Sequence, residues 1–179
     1  VAALAVGGMM LKKQLEKKQS SGGSSSITET VEVNVPVHAA YNQWTQFEDF
    51  PQFMGSVLEV KQLDDKHLHW RANIAGEEKE WDAEITEQIP DKRIAWRSVG
   101  GTHNGGVVTF HRLSDNWTRI ALQLHYPPEG PMDKIGEALG AIRLEARQNL
   151  QRFKEMLEKR GSETGAWRGS IGQQSSSAH

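Results

Sequence analysis

One apolar stripe near the C-terminus constrains the architecture more than any other feature. Met132, Ile135, Leu139, Ile142, Ala146, Leu150, Phe153 and Leu157 recur in steps of three or four, the spacing of a single helix face. Pro131 at the first helical position, Asp133 in the first turn and Lys159, Arg160 and Gly161 at the end mark its limits. A helix of about 29 residues is roughly 45 Å long, and it needs an apolar surface of similar length to leave water. Gly136, Gly140 and Ala141 thin its first half, so that half is expected to stand over a void. Phe153 and Leu157 make the second half a packed anchor.

The matching surface is written upstream with period two. Leu68, Trp70, Ala72 and Ile74 alternate with His67, His69, Arg71 and Asn73, and Trp81, Ala83, Ile85 and Ile89 alternate with Glu80, Asp82 and Glu84. Each set puts its apolar residues on one strand face. A type II′ turn at Gly76-Glu77 would set Ala72 across from Trp81 and Arg71 across from Asp82. Pro90-Asp91 then turns the chain so that Ile85 faces Trp96, with Ile94 and Ser98 on the same side. Val108 and Phe110 continue the inward face. A three-residue loop at Ser114-Asp115-Asn116, with Asn116 left-handed, returns the chain to Ile120, Leu122 and Leu124. With Leu58 and Val60 upstream and Val31, Val33 and Val35 first, seven strands share one apolar face. The fold class is α+β: a curved seven-stranded antiparallel sheet wrapped around a long C-terminal helix.

Between the first two strands, Pro36 begins a helix carrying Val37, Ala40, Tyr41 and Trp44, and Pro51 limits a short second helix around Phe47 to Phe50. This aromatic cluster is expected to plug one end of the sheet. The domain runs from 27 to 160. Residues 1–26 form an apolar and basic segment with a spacer, SSGGSSS at 20–26, and 161–179 read as a mobile tail. Val1 to Leu11 is too short to span a bilayer in helix, and Lys12, Lys13, Lys17 and Lys18 follow. Two readings stand side by side, the end of a longer membrane helix with its basic flank and a frayed N-terminal helix.

A formal net charge of −2 carries no general footprint for nucleic acid, and none is expected as a partner. The chain has no cysteine, which excludes disulfides, thiolate catalysis and Cys-based metal sites. That composition is compatible with a cytoplasmic protein, membrane-associated if the N-terminal segment acts as an anchor.

The order strand, two short helices, six strands, long helix joins several local strings: FEDFPQFMGSVLEVKQLDDKHLHWRA at 47–72, EWDAEITEQIPDKRIAWRSVGG at 80–101, GVVTFHRL at 106–113 and QNLQRFKEML at 148–157. Together they resemble the START-like or SRPBCC superfamily, and within it the polyketide cyclase/dehydrase and coenzyme Q-binding START-domain families. The resemblance implies a helix-grip fold with a hydrophobic cavity between sheet and helix. It implies a hydrophobic small molecule as partner, a lipid, quinone or polyketide. Carried onto this chain, ligand-binding positions fall at Trp70, Trp81, Trp96, Phe110, Leu122 and Ile142, with Phe50 and Phe53 near an entrance. It supplies no catalytic residue, metal or cofactor.

The same residues also fit a filled core, since each large indole packs as readily against protein as against ligand. His67 and His69 share a strand face in the manner of metal ligands, yet their charged neighbours suit a solvated outer face. The glycines of GGTHNGG at 100–106 do not join a strand to a helix as phosphate loops do. His103 and Asn104 within that loop are the polar pair best placed to reach a cavity mouth. Three functions follow: binding or transport of a hydrophobic molecule, cyclisation or dehydration of a reactive substrate, and a membrane-associated interaction module.

Overall fold

The computed structural model describes residues 25–74, 76–100, 104–126 and 132–172. The strands are β1 (Ser25–Val33), β2 (Val57–Gln62), β3 (His67–Ile74), β4 (Glu77–Ile89), β5 (Arg93–Val99), β6 (Gly105–Ser114) and β7 (Trp117–Tyr126). Helix α1 (Val37–Trp44) and a 3-10 helix (Phe47–Gln52) follow β1, and α2 (Met132–Arg160) follows β7. The seven strands form one antiparallel sheet in the order β1-β7-β6-β5-β4-β3-β2, curled as a half barrel with α2 along it. The helix-grip architecture expected from the stripe and the alternation is the observed one.

The turns depart from expectation in instructive ways. The β3–β4 pairing is shifted by two residues, so Trp70, not Ala72, lies across from Trp81, and Arg71 lies across from Glu80. A shift of two leaves every side chain on its expected face. Gly76 takes the second turn position with φ +85°, a conformation glycine adopts without steric cost. Ile85 does pair with Trp96, but a three-residue loop with Asp91 at φ 62° joins β4 to β5, and an irregularity at Thr86 restores the register. The β6–β7 loop is two residues, with Ser114 paired to Trp117. Its extra residue is absorbed by a bulge at Leu113, so Asn116 is not left-handed. Pro36 stands just before α1 in extended conformation, φ −59° and ψ 151°, because it ends the first strand's path before the helix starts.

The core is solid at one end. Trp44 touches Phe50, Phe53, Phe110 and Phe153 edge-on or tilted, with centroids 5.0 to 6.3 Å apart across this cluster. Leu150, Phe153 and Leu157 of α2 are fully buried there, the packed anchor the stripe calls for. Leu139 and Ile142 in the first half of α2 remain half-buried. Along β1 the helix is pinned by charge: Arg147 donates to both Glu29 oxygens at 3.2 Å, Lys154 donates to the Glu32 carbonyl at 2.8 Å, and Glu158 accepts the Asn34 amide at 2.8 Å.

The reading of a mobile tail from residue 161 is corrected over 161–172. Ile171 is buried and bridges to Gln88 of β4 by two backbone hydrogen bonds of 2.9 Å. Arg168 donates to both Asp91 oxygens, at 3.0 and 2.7 Å, and to Asn42 at 2.7 Å. The strap covers a polar surface, with Thr164 bonded to Gln43 and Asp49, and Glu163 to Asn42. Residues 1–24 and 173–179, together with His103 and Pro127 to Pro131, lie outside the described residues.

Candidate ligand-binding cavity

Where the first half of α2 diverges from solid packing, the half barrel encloses a cavity of about 530 Å³. Every strand but β1 contributes to its walls, most regularly β3, whose Leu68, Trp70, Ala72 and Ile74 alternate toward the helix. Of the eight residues expected to contact a ligand, the structure brings Phe50, Trp70, Trp81, Trp96, Leu122 and Ile142 together around this space. Phe53 and Phe110 are elsewhere: both are buried in the solid aromatic end, Phe53 against Phe153 and Phe110 against Tyr41. Alternation assigns a residue to a face; it does not say at which level along the strand the space lies.

The expected entrance at Phe50 and Phe53 is likewise corrected, since both are almost wholly shielded from solvent. Among the described lining residues the most exposed are Ile74, Lys79, Glu80 and Tyr126. The mouth therefore lies at the end of the sheet formed by the β3–β4 turn and the end of β7.

The walls are shaped by specific pairs. Trp70 and Trp81 lie stacked, with centroids 5.9 Å apart and planes 7° from parallel, and Phe50 abuts Trp70 at 5.6 Å. Trp96 lies flat over its β6 partner Gly106, where a Cβ would stand 2.6 Å from Trp96 Cζ2. Glycine there makes room for the indole.

Besides Lys79 and Glu80 at the mouth, the latter expected on the outer face, four polar residues of the cavity wall escaped the sequence reading: Ser56, His125, Glu145 and Asn149. Ser56 Oγ donates to Glu145 Oε1, linking the loop before β2 to α2 across the cavity. Glu145 and Asn149 are one helical turn apart and flank Ile142 and Ala146. That i, i+4 polar pair beside the narrowest part of the stripe was the available signal. Asn104 also lines the cavity, as its loop position suggested. His67 and His69 point away, each held by a carboxylate on the outer face, Asp64 at 2.9 Å and Asp82 at 2.7 Å.

Residues 33–154 match the family model for polyketide cyclase / dehydrase and lipid transport. An uncharacterised 17.2 kDa protein of Streptomyces lincolnensis, from the melC2-rnhH intergenic region, is 51% identical over 148 residues, which is 82% of this chain and 99% of that protein. The Zhui aromatase/cyclase of Streptomyces sp. R1128 superposes with a TM-score of 0.69 at 16% identity, over 81% of this chain and all of that one. A START superfamily protein of Mycobacterium smegmatis does so with a TM-score of 0.56 at 21% identity, over 72% of this chain and 99% of that one. Both structural likenesses concern the fold.

Proposed function

This chain belongs to the polyketide cyclase / dehydrase and lipid transport family, within the START-like superfamily, and from that membership we propose that it binds or carries a hydrophobic small molecule in its cavity. The observation that carries the reading is the hollow itself. A space of about 530 Å³ lined by four indoles and phenyl-bearing side chains is of the size that holds lipid-like or polycyclic compounds. Each 100 Å² of apolar ligand surface removed from water contributes about 2.5 kcal/mol, offset by the cost of association. The stacked Trp70 and Trp81 offer a flat wall that suits a ring system, a quinone or a polyketide-like compound. Native mass spectrometry of the purified chain, followed by titration with a fluorescent lipid and a naphthoquinone, tests it; a chain that neither carries nor takes up such compounds would end this reading.

A second reading has its own observation. Glu145 and His125 both line the cavity, so a proton can be moved within it, as a cyclisation or dehydration requires. Ser56 orients the Glu145 carboxylate. Turnover of a polyketide or quinone precursor that is abolished in Glu145→Gln, with ligand uptake intact, supports it.

Residues 1–18 act in this reading as a membrane tether, an apolar stretch followed by Lys12, Lys13, Lys17 and Lys18. Such a pairing of apolar and basic residues favours an anionic bilayer. Among the described residues no helix is long and apolar enough to cross a membrane. Sedimentation of the full chain with anionic vesicles, and not with neutral ones, is the expected result.

A further inference from the structure

Antiparallel pairing gathers one set of strand ends at the cavity mouth. Ser25 pairs with Tyr126, His125 with Gly105, Asp82 with Val99, and Ile74 with Glu77. Three of the large apolar side chains most exposed to water, Ile74, Val99 and Tyr126, fall on this rim, at 44%, 49% and 37% exposure. Ile74 and Tyr126 also line the cavity. Because β1 begins opposite Tyr126, the apolar and lysine-bearing residues 1–24 join the domain at this same rim.

We propose that the rim is a docking face for an anionic lipid bilayer, so that the cavity opens directly onto the membrane surface. The inference rests on the tether reading and adds to it an orientation of the domain. Exposed apolar groups that are scattered singly mean little. Here Ile74 and Tyr126 are among the four exposed described residues of the cavity wall, and the chain enters the domain at Ser25 on the same rim, seven residues after Lys18; interfacial binding scales with both apolar area and basic charge. The acidic residues at the rim fix its tilt. Glu77, Glu78 and Glu80 of β4 are exposed there and are repelled by anionic headgroups, with Lys79 and Arg71 offsetting only part of that charge. The face in contact is therefore the Tyr126 and Val99 side, where β1 enters; Asp82, paired with Val99, is held by His69, and the β3–β4 turn with Ile74 stands back at the edge of the contact. An apolar ligand leaving the bilayer would then reach Trp96 and Leu122 without crossing bulk water.

The absence of cysteine permits a direct test on the full chain. Val99→Cys and Leu113→Cys place single thiols at exposed sites toward opposite ends of the sheet, roughly 30 Å apart along the strand direction. Each is labelled with an environment-sensitive fluorophore and mixed with phosphatidylcholine/phosphatidylglycerol vesicles bearing brominated acyl chains; unchanged melting curves confirm the fold. The expected result is a blue shift and bromine quenching at 99, an aqueous signal at 113, and binding at least about tenfold weaker in the K12E/K13E/K17E/K18E chain. Binding with both labels aqueous, or with 113 quenched as strongly as 99, overturns the docking face and leaves the tether standing. No binding at all overturns docking and tether together. Uptake of the fluorescent lipid in vesicle-free buffer reports separately on the cavity.

Discussion

Trp70 and Trp81 occupy directly paired positions on β3 and β4, and their indoles stack 7° from parallel at 5.9 Å. The pair forms the flat side of the cavity and also ties the two strands together. Stacked aromatic pairs contribute about 0.5 to 1.5 kcal/mol beyond simple burial. Trp81→Ala is expected to lower stability by about 1 to 2 kcal/mol and to weaken a planar naphthoquinone more than a flexible fatty acid. Urea titration and competitive binding read the two effects; equal loss for both ligands would argue against a ring-shaped site.

Ile142 stands half-buried over the cavity, whereas Phe153, three turns further along α2, has no exposure at all. Ile142→Trp is expected to fill free space, cutting ligand uptake at least tenfold with a change in stability below about 1 kcal/mol, since overpacking is costly only where no void exists. Phe153→Ala is the contrast, with a loss of about 3 to 5 kcal/mol. Calorimetry and lipid titration of the two variants separate a hollow from a solid core; strain at 142 accompanied by normal uptake would sink the site assignment.

Much of this architecture was legible because faces are encoded by period. The seven strands, the long helix and its loose first half follow from where apolar residues recur, but two bulges override the alternation: one turns Leu58 outward and puts Val57 on the cavity wall, the other buries Gln88 in place of Ile89. Register was not, because a shift of two preserves the faces; the stack of Trp70 on Trp81 and the positive φ of Gly76 decide it instead. The strap was illegible for the opposite reason. Asn42, Gln43 and Thr45 are buried beneath residues 163–168, and polar residues on a helix read as solvent-facing until something polar covers them. A cavity and a filled core require the same inward residues, so Phe110 and Trp96 looked alike in the sequence and differ only in their level along the sheet.

Acid should loosen two ties of the first strand, the Glu32 carboxyl to β7 and the Glu158 carboxyl of α2 to Asn34 just beyond β1. Arg119 first, and then Trp117, hold the Glu32 carboxyl below its ordinary value of 4.5. Burial alone would raise Glu158, but the Asn34 amide and Lys154 outweigh it and it too lies below 4.5. Carboxyls depressed on folding contribute stability that is fully present above the ordinary value and is lost as pH falls through the folded one. Stability is therefore expected to be level with respect to these groups near neutrality and to fall below about pH 4.5. Glu158→Gln should cost about 1 kcal/mol at pH 7 and flatten the acid limb of a urea-midpoint profile; an unchanged limb would remove Glu158 from the account.

Arg168 is the fastener of the C-terminal strap. Its guanidinium bonds Asp91 through two nitrogens and Asn42 through one of them, and lies 5.7 Å from the Tyr41 ring centroid. The partner Asp91 sits in the positive-φ position of the β4–β5 loop, so the strap also holds the loop that sets the Ile85 to Trp96 register. Arg168 is partly exposed, and the ion pair alone is worth little in water. The fork geometry and the ring contact are what a lysine cannot reproduce. Arg168→Ala is expected to free the strap locally at a cost of about 1 kcal/mol, raising hydrogen exchange roughly fivefold at the Gln88 and Ile171 amides. Arg168→Lys should recover less than half of that protection. Exchange at Phe153, deep in the solid core, should hardly change, because the strap lies outside it. If Phe153 loosens in step with Ile171, the strap and the core form one cooperative unit and Arg168 supports the whole fold instead of one edge.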